Sequence, residues 1–592
     1  MSSWANSPIA LFLPVWRRHV ARQTPVAKAP VDVSAPTFLH GSMCIRMVPR
    51  NRMTNLEAVP IIPTEKFYRK DAARWNRSRL DLSVRCDENT PRKLGWRRKG
   101  LTTNDAARPI VRDGTEGPQL RHGALTLFDD VVVGVASTAP AYSLTATVAI
   151  LIGAVGLFSP SAMVLAFLPM LGVAVGFYWL NRSIPNCGTS YAWIARAMNP
   201  ALGFFTGWVI IVADVIVMIS LAGVAAASTL TLFGQDAGNK TWNLILGVAW
   251  IAVMTWIVVR GVRLSARLQW VLLGLEYIIV LAFCLWAIIK VYTSHPAGTH
   301  ILSANWLLPW KAPGGGPAML TAVLAAVFIY WGWDTAANLN EETEDASSAP
   351  GLASVYATFA LLVIYVFAAF AVSAYVANGP AQANSSDVLT YMAQSLAGNN
   401  KIWYLMVLAV VSSAASSTLT TILPTARVTF SMARDRIIPQ AFARVHHSYR
   451  TPWVSTVVMG VVSGLAYVIS LYASGGIGQA IQNAILAIGL QIAFYYGLTG
   501  IAATWYYRRL LFRSASNFIF AGIFPLAGGL GFFYIFIQAA RGLTPAQFWT
   551  GVGAMLIGIP LLAWSWFHNP AFYRQPTETA TDPAASSRVS TA

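Results

Sequence analysis

From Asp129 onward the chain alternates between long apolar runs and short polar breaks. The runs fall at 129–157, 161–180, 200–227, 243–259, 268–290, 317–338, 352–377, 402–424, 453–472, 480–504, 516–539 and 546–567. Most are near the roughly 20 residues that a helix needs to cross a hydrocarbon core of about 30 Å. Each closes on charged, Pro, Gly or Asn residues. The pattern predicts an all-α polytopic membrane protein of twelve transmembrane helices, and an even number puts both termini on one side.

Composition agrees. Of 592 residues, 55% are apolar and only 11% charged, against about 25% charged in soluble domains. A soluble cytoplasmic enzyme is excluded. Cys44, Cys86, Cys187 and Cys284 lie far apart with no paired spacing, so neither a disulfide framework nor a metal site is indicated. The net charge of +18 is concentrated at one end: residues 1–122 hold 22 of the 42 Lys and Arg but 10 of the 24 Asp and Glu. This segment reads as a basic, disordered N-terminal extension, suited to anionic lipid headgroups. Nucleic acid would call for aromatic residues interleaved on a folded platform, and none is evident. Residues 123–570 form the membrane domain, and 571–592 read as a disordered tail.

Arginines set the orientation. Fourteen arginines, among them Arg182, Arg196, Arg260, Arg427, Arg434 and Arg508, sit in breaks on the side of the termini, whereas the opposite breaks hold five basic residues, Lys240, Lys290, Lys311, Lys401 and Arg541. By the excess of positive charge on the cytoplasmic side, both termini are cytoplasmic in a multi-pass cell-membrane protein. Trp306, Trp310, Trp403, Tyr506 and Tyr507 lie near span ends and are expected to form interfacial belts.

Two spans carry breaks. In the first, Pro140 removes a backbone donor and clashes with the carbonyl four residues earlier, beside small residues and the hydroxyls of Ser137 and Thr138. Irregular backbone at membrane depth must line a cavity or be buried in protein. The sixth span reads Ala326-Val-Phe-Ile-Tyr-Trp-Gly-Trp-Asp-Thr335, with aromatics around Gly332. Interruptions at corresponding places in two halves mark the binding site of a transporter, where half-helix N-termini face an anion.

Three stretches together resemble the amino acid–polyamine–organocation superfamily of amino acid permeases. They are Pro185-Asn-Cys-Gly-Thr-Ser-Tyr-Ala-Trp193 with Gly203-Phe-Phe-Thr-Gly-Trp208; Tyr330-Trp-Gly-Trp-Asp334 with Asn340-Glu-Glu342 and Pro350; and Ala426-Arg-Val-Thr-Phe-Ser-Met-Ala-Arg-Asp435 with Pro439, His446 and Thr451-Pro452. The resemblance covers about residues 123–570. It implies two inverted five-helix repeats, broken at helices 1 and 6, plus two extra C-terminal helices. Ser137, Thr138, Ala139, Pro140 and Ala141 would then offer backbone donors to a substrate carboxylate. Carbonyls of Phe328, Ile329, Tyr330 and Trp331, next to Gly332, would receive its amino group, with Phe328 as an aromatic lid. The first span departs from the family's Gly-x-Gly, having Ser-Thr-Ala-Pro-Ala instead.

Apart from the span ends, the ionisable residues in the spans are few: Asp214, Glu276 and, near a helix end, Asp334. Each costs about 2.5–3.5 kcal/mol on insertion scales. Glu276 lies eight residues into the fifth span, about 12 Å deep, at a position resembling that of a buried lysine in proton-coupled family members. It is the candidate to carry a coupled proton, or to bind another cation when ionised; the alternative is a structural carboxylate satisfied by Ser412, Ser413, Ser416 or Ser417. Asp214 reads as structural, and Asp334 as a cap on the broken helix or a partner for a loop arginine. No acidic pair and no basic residue marks the cavity, which makes neutral amino acids the default substrate, carried by alternating access with proton symport. The rival functions are an exchanger of amino acids or amines, and a non-transporting nutrient sensor. A membrane-embedded enzyme would want a nucleophile with a His partner or clustered metal ligands; the spans contain no histidine, and neither cofactor nor metal is implied.

Overall fold

The computed structural model describes residues 119–376, 379–380, 387–473, 477–542 and 544–580. Most of the basic N-terminal extension, and the tail beyond 580, lie outside the described residues. The described chain is helical. It has no β-strand, only a single parallel bridge between Leu125 and Thr343. The helices that matter here are α1 Leu127–Ser137, α2 Pro140–Val155, α3 Ser159–Ser183, α4 Ser190–Ala197, α5 Pro200–Leu232, α6 Lys240–Arg260, α7 Val262–Ser294, α8 Gly315–Ile329 and α9 Thr335–Asn338. They are followed by α10 Ala349–Tyr375, α11 Val388–Ala397, α12 Tyr404–Arg434, α13 Trp453–Ala473, α14 Ile477–Tyr507, α15 Phe524–Gly542 and α16 Gly558–His568.

Nine helical stretches among the described residues are long and apolar enough to cross a membrane; one of them, Leu127–Ser183, spans the first two predicted runs, and Gly315–Ile329 is a shorter apolar helix. This makes the chain a polytopic membrane protein. Local signals explain the starts. Thr126 and Asp129 close a reciprocal capping box at α1, with the Thr126 amide donating to Asp129 at 2.9 Å. Asn199 caps α5 through the amides of Ala201 and Leu202, with Pro200 in the first turn.

Burial sorts the helices into inner and outer ones. Almost every residue of α12 beyond Met406 is buried, and α5 is nearly as enclosed. α12 packs along α5, α7 and α13, while α10 runs along α3 and α1. In contrast, α6 buries only Asn243, Gly247, Ile251, Met254 and Val258, one stripe at helical spacing. Its opposite face exposes Ile245, Val253 and Trp256, as suits a lipid-facing surface. α7 follows the same rule. Val271, Ile278 and Leu285 point out, whereas Gln269, Leu273, Glu276, Val280 and Phe283 point in. That stripe is why the two polar side chains of this span meet protein and not lipid.

Several expectations shift. The stretch from 571 to 580 is not a loose tail: Phe572 and Tyr573 are buried, the Glu578 amide donates to the Arg196 carbonyl at 2.7 Å, and the Ala580 amide to Tyr506 at 3.0 Å. At the other end Leu120 packs with Cys187 and Phe430, so the folded body begins before residue 123. Of the expected belt residues, Trp310 is exposed, but Trp306 is buried and stacks on Phe370, and Tyr506 and Tyr507 are buried. The Tyr507 hydroxyl donates to the Trp179 carbonyl at 2.8 Å.

Candidate functional site

Both expected breaks are present. α1 stops at Ser137 and α2 restarts at Pro140. Between them the amides of Thr138 and Ala139 fold back on the carbonyls of Val135 and Ala136 at 3.1 and 3.2 Å. Ala139 has φ +46°, a left-handed conformation that costs a non-glycine residue energy and is held only by its surroundings. The second break runs from the end of α8 at Ile329 to the start of α9 at Thr335, with Gly332 at φ +121°.

The breaks touch each other. A Cβ on Gly332 would lie 2.8 Å from the carbonyl carbon and oxygen of Ser137 and 3.1 Å from the Thr138 nitrogen. Only glycine allows that approach. The hydroxyls of Ser137 and Thr335 are 2.9 Å apart. Tyr365 of α10 donates to the Ile329 carbonyl at 2.7 Å, and its hydroxyl lies 3.1 Å from Thr138 Oγ1. From α12, Ser417 donates to the Ser137 carbonyl at 2.8 Å.

A tight cavity of about 30 Å³ lies at this meeting point, room for a couple of waters. Of the candidate residues, Ser137, Thr138, Ala139, Phe328, Trp331 and Gly332 line it, joined by Tyr142, Ser143, Thr335, Ser417, Thr421 and Tyr495. Four other expected residues do not. Ile329 and Tyr330 are buried away from it, with the Tyr330 hydroxyl on the Met163 carbonyl at 3.2 Å. Pro140 and Ala141 are also absent from the lining, because Ala141 faces α7.

The carboxylates are placed differently from the sequence reading. Asp214 of α5 and Asp334 both line the cavity, so an acidic pair is present after all. Asp214 accepts a hydrogen bond from Thr425. Asp334 makes no cap and pairs with no arginine; its two oxygens accept from Tyr495 at 2.9 Å and Tyr496 at 2.8 Å of α14. Tyr495 in turn accepts from the Trp331 indole at 2.5 Å. Nothing in the sequence pairs Asp214 with Asp334; their helices bring them together only in the packed bundle. Glu276 sits behind the first break. Its Oε1 accepts from the Ala141 amide at 2.5 Å and from Ser413, one of the four candidate serines, at 2.9 Å, while its buried Oε2 has no partner.

A second polar cluster closes one end of the bundle and joins the three sequence motifs. Arg427 of α12 forms a buried ion pair with Glu342, its Nε donating at 2.6 Å. Arg434 grips Glu341 at 2.6 Å, and Asn338 reaches the Cys187 carbonyl at 2.9 Å. Burial alone would raise the Glu341 carboxyl, but Arg434 and the Cys187 amide outweigh it and hold the group below its ordinary value.

Comparison with known proteins agrees with this architecture. A family model described as amino acid permease matches residues 132–563. The chain is 22% identical over 460 residues to the low-affinity putrescine importer PlaP of Escherichia coli (strain K12), covering 76% of this chain and 93% of that protein. It is 24% identical over 325 residues to the methylthioribose transporter of Bacillus subtilis (strain 168), over 52% of this chain and 67% of that one. It is 23% identical over 319 residues to the branched-chain amino acid permease BcaP of the same organism, over 51% and 66%.

Proposed function

Because the chain belongs to the amino acid permease family, we propose that it is a secondary active transporter that moves a small amino acid or amine across the cell membrane by alternating access. The coarse statement, a membrane transporter of amino-acid-type substrates and not an enzyme, follows from that membership. The finer one rests on a single observation: two helices lose regular hydrogen bonding at the same place and meet around a cavity. Such discontinuous helices supply the substrate site in carriers built from repeats. On this reading the chain has twelve spans arranged as two inverted five-helix repeats plus two more, with both termini cytoplasmic. The names of its relatives, which include a putrescine importer and a branched-chain amino acid permease, support the substrate range.

Glu276 carries the coupled proton in this scheme. Its location supports the assignment: it touches the first break through Ala141, and one oxygen lies buried without a partner. Leaving a buried charge half-satisfied is costly, and exchanging the proton there would alter the contact that holds α2. The test is uptake into liposomes containing purified protein, with a panel of radiolabelled amino acids and amines. The expected result is accumulation driven by an imposed pH gradient. One pH unit drives at most about tenfold accumulation per proton. Glu276→Gln is expected to equilibrate substrate without concentrating it; gradient-driven accumulation at the wild-type level would remove Glu276 from the coupling step. Binding without any uptake would argue for a sensor instead.

A further inference from the structure

The α-carboxylate of an amino acid needs free backbone donors at the start of α2. That helix has none to offer. Pro140 has no amide hydrogen, the Ala141 amide is held by Glu276 at 2.5 Å, and the Tyr142 amide by the Ser413 hydroxyl at 3.3 Å. The Ser143 amide returns to the Ala139 carbonyl at 2.8 Å, and the Ser143 hydroxyl to the Thr138 carbonyl at 2.6 Å. The chain's own carboxylate, Glu276, holds the Ala141 amide from the side away from the cavity.

The cavity on the other side of this terminus is suited to the opposite charge. Asp214 and Asp334 line it, both nearly fully buried, and among its lining residues there is no Lys, Arg or His. Two carboxylates without a basic partner are expensive to bury, and a bound ammonium group would offset that cost. Phe328, Trp331, Tyr142 and Tyr495 add aromatic rings that favour a cation. Ile210, Val217 and Leu221 of α5 offer an apolar wall for a methylene stem.

We propose that the site selects an aliphatic amine lacking a carboxylate, with Asp214 and Asp334 as its counter-charges and with the Ala141 amide already taken by Glu276. The proposal rests on the transporter reading and narrows it. The ligand class this chemistry favours is a mono- or diammonium chain a few carbons long.

A matched pair of compounds tests it. Ornithine is 1,4-diaminobutane with one added carboxylate, so the two differ only in the group at issue. Competition against radiolabelled 1,4-diaminobutane on the purified full chain should show at least a tenfold preference for the diamine over ornithine. Asp334→Asn and Asp214→Asn should each weaken the diamine tenfold or more while the variants stay monodisperse with an unchanged melting temperature, a loss that general misfolding would not produce. Ornithine binding as well as the diamine, or a neutral amino acid accumulating in liposomes that ignore the diamine, would overturn this inference and leave the transporter reading standing. A monodisperse protein that takes up no compound of either class would overturn both.

Discussion

Alanine in place of Gly332 should cut uptake tenfold or more while the protein stays folded. The added Cβ would sit 2.8 Å from the backbone of Ser137, on the facing break, and the residue would keep φ +121°. Backbone atoms cannot rotate aside as a side-chain end can. A residue held in such a conformation costs on the order of 1–3 kcal/mol, and overpacking adds a similar amount. Each 1.4 kcal/mol is worth about tenfold in an equilibrium. The strain opposes the one arrangement in which the two breaks touch, so it falls on the transport cycle more than on overall stability. Gly464→Ala is the control, since its Cβ would meet nothing within 4 Å in the middle of α13. Uptake by Gly332→Ala equal to that of the control would mean that the contact between the breaks is dispensable.

Arg427→Leu is expected to be the most destabilising single change at the polar end of the bundle. Arg427 and Glu342 side chains are each 1% exposed. The guanidinium also reaches the Leu423 carbonyl at 3.2 Å, while Glu342 Oε1 already lacks a partner. Removing the arginine leaves a buried carboxylate uncompensated, which costs about 3–5 kcal/mol. The melting temperature of the detergent-purified protein should fall by several degrees. Adding Glu342→Gln should restore most of the loss, because the damage comes from the orphaned charge. A double variant no more stable than the single would show that the arginine acts through packing alone.

Much of the architecture was legible because lipid imposes strong rules. Span lengths follow bilayer thickness, and the inward stripe of α7 that carries Gln269 and Glu276 follows helical periodicity. Pro140 and Gly332 marked the breaks for reasons of backbone chemistry, and the structure places both of them there. What sequence could not supply was the pairing of polar atoms between helices. Asp334 looked like a cap or an arginine partner, yet two tyrosine hydroxyls from α14 hold it. Asp214 looked isolated because Thr425, its partner, lies on α12. The amide of Ala141 looked open to a substrate because nothing local shows that Glu276 takes it. These errors have one cause: in a helical bundle the neighbours of a buried polar group lie far off in the chain, here 135 to 211 residues away, and periodicity fixes the face of a helix but not its partner.

The hydroxyl of Tyr365 rests at once on the end of α8 and on the gap after α1. A single group shared by both interrupted segments works like a clasp. Neither segment can be displaced without disturbing the atom that secures the other. Loss of that one phenol would therefore loosen both segments together.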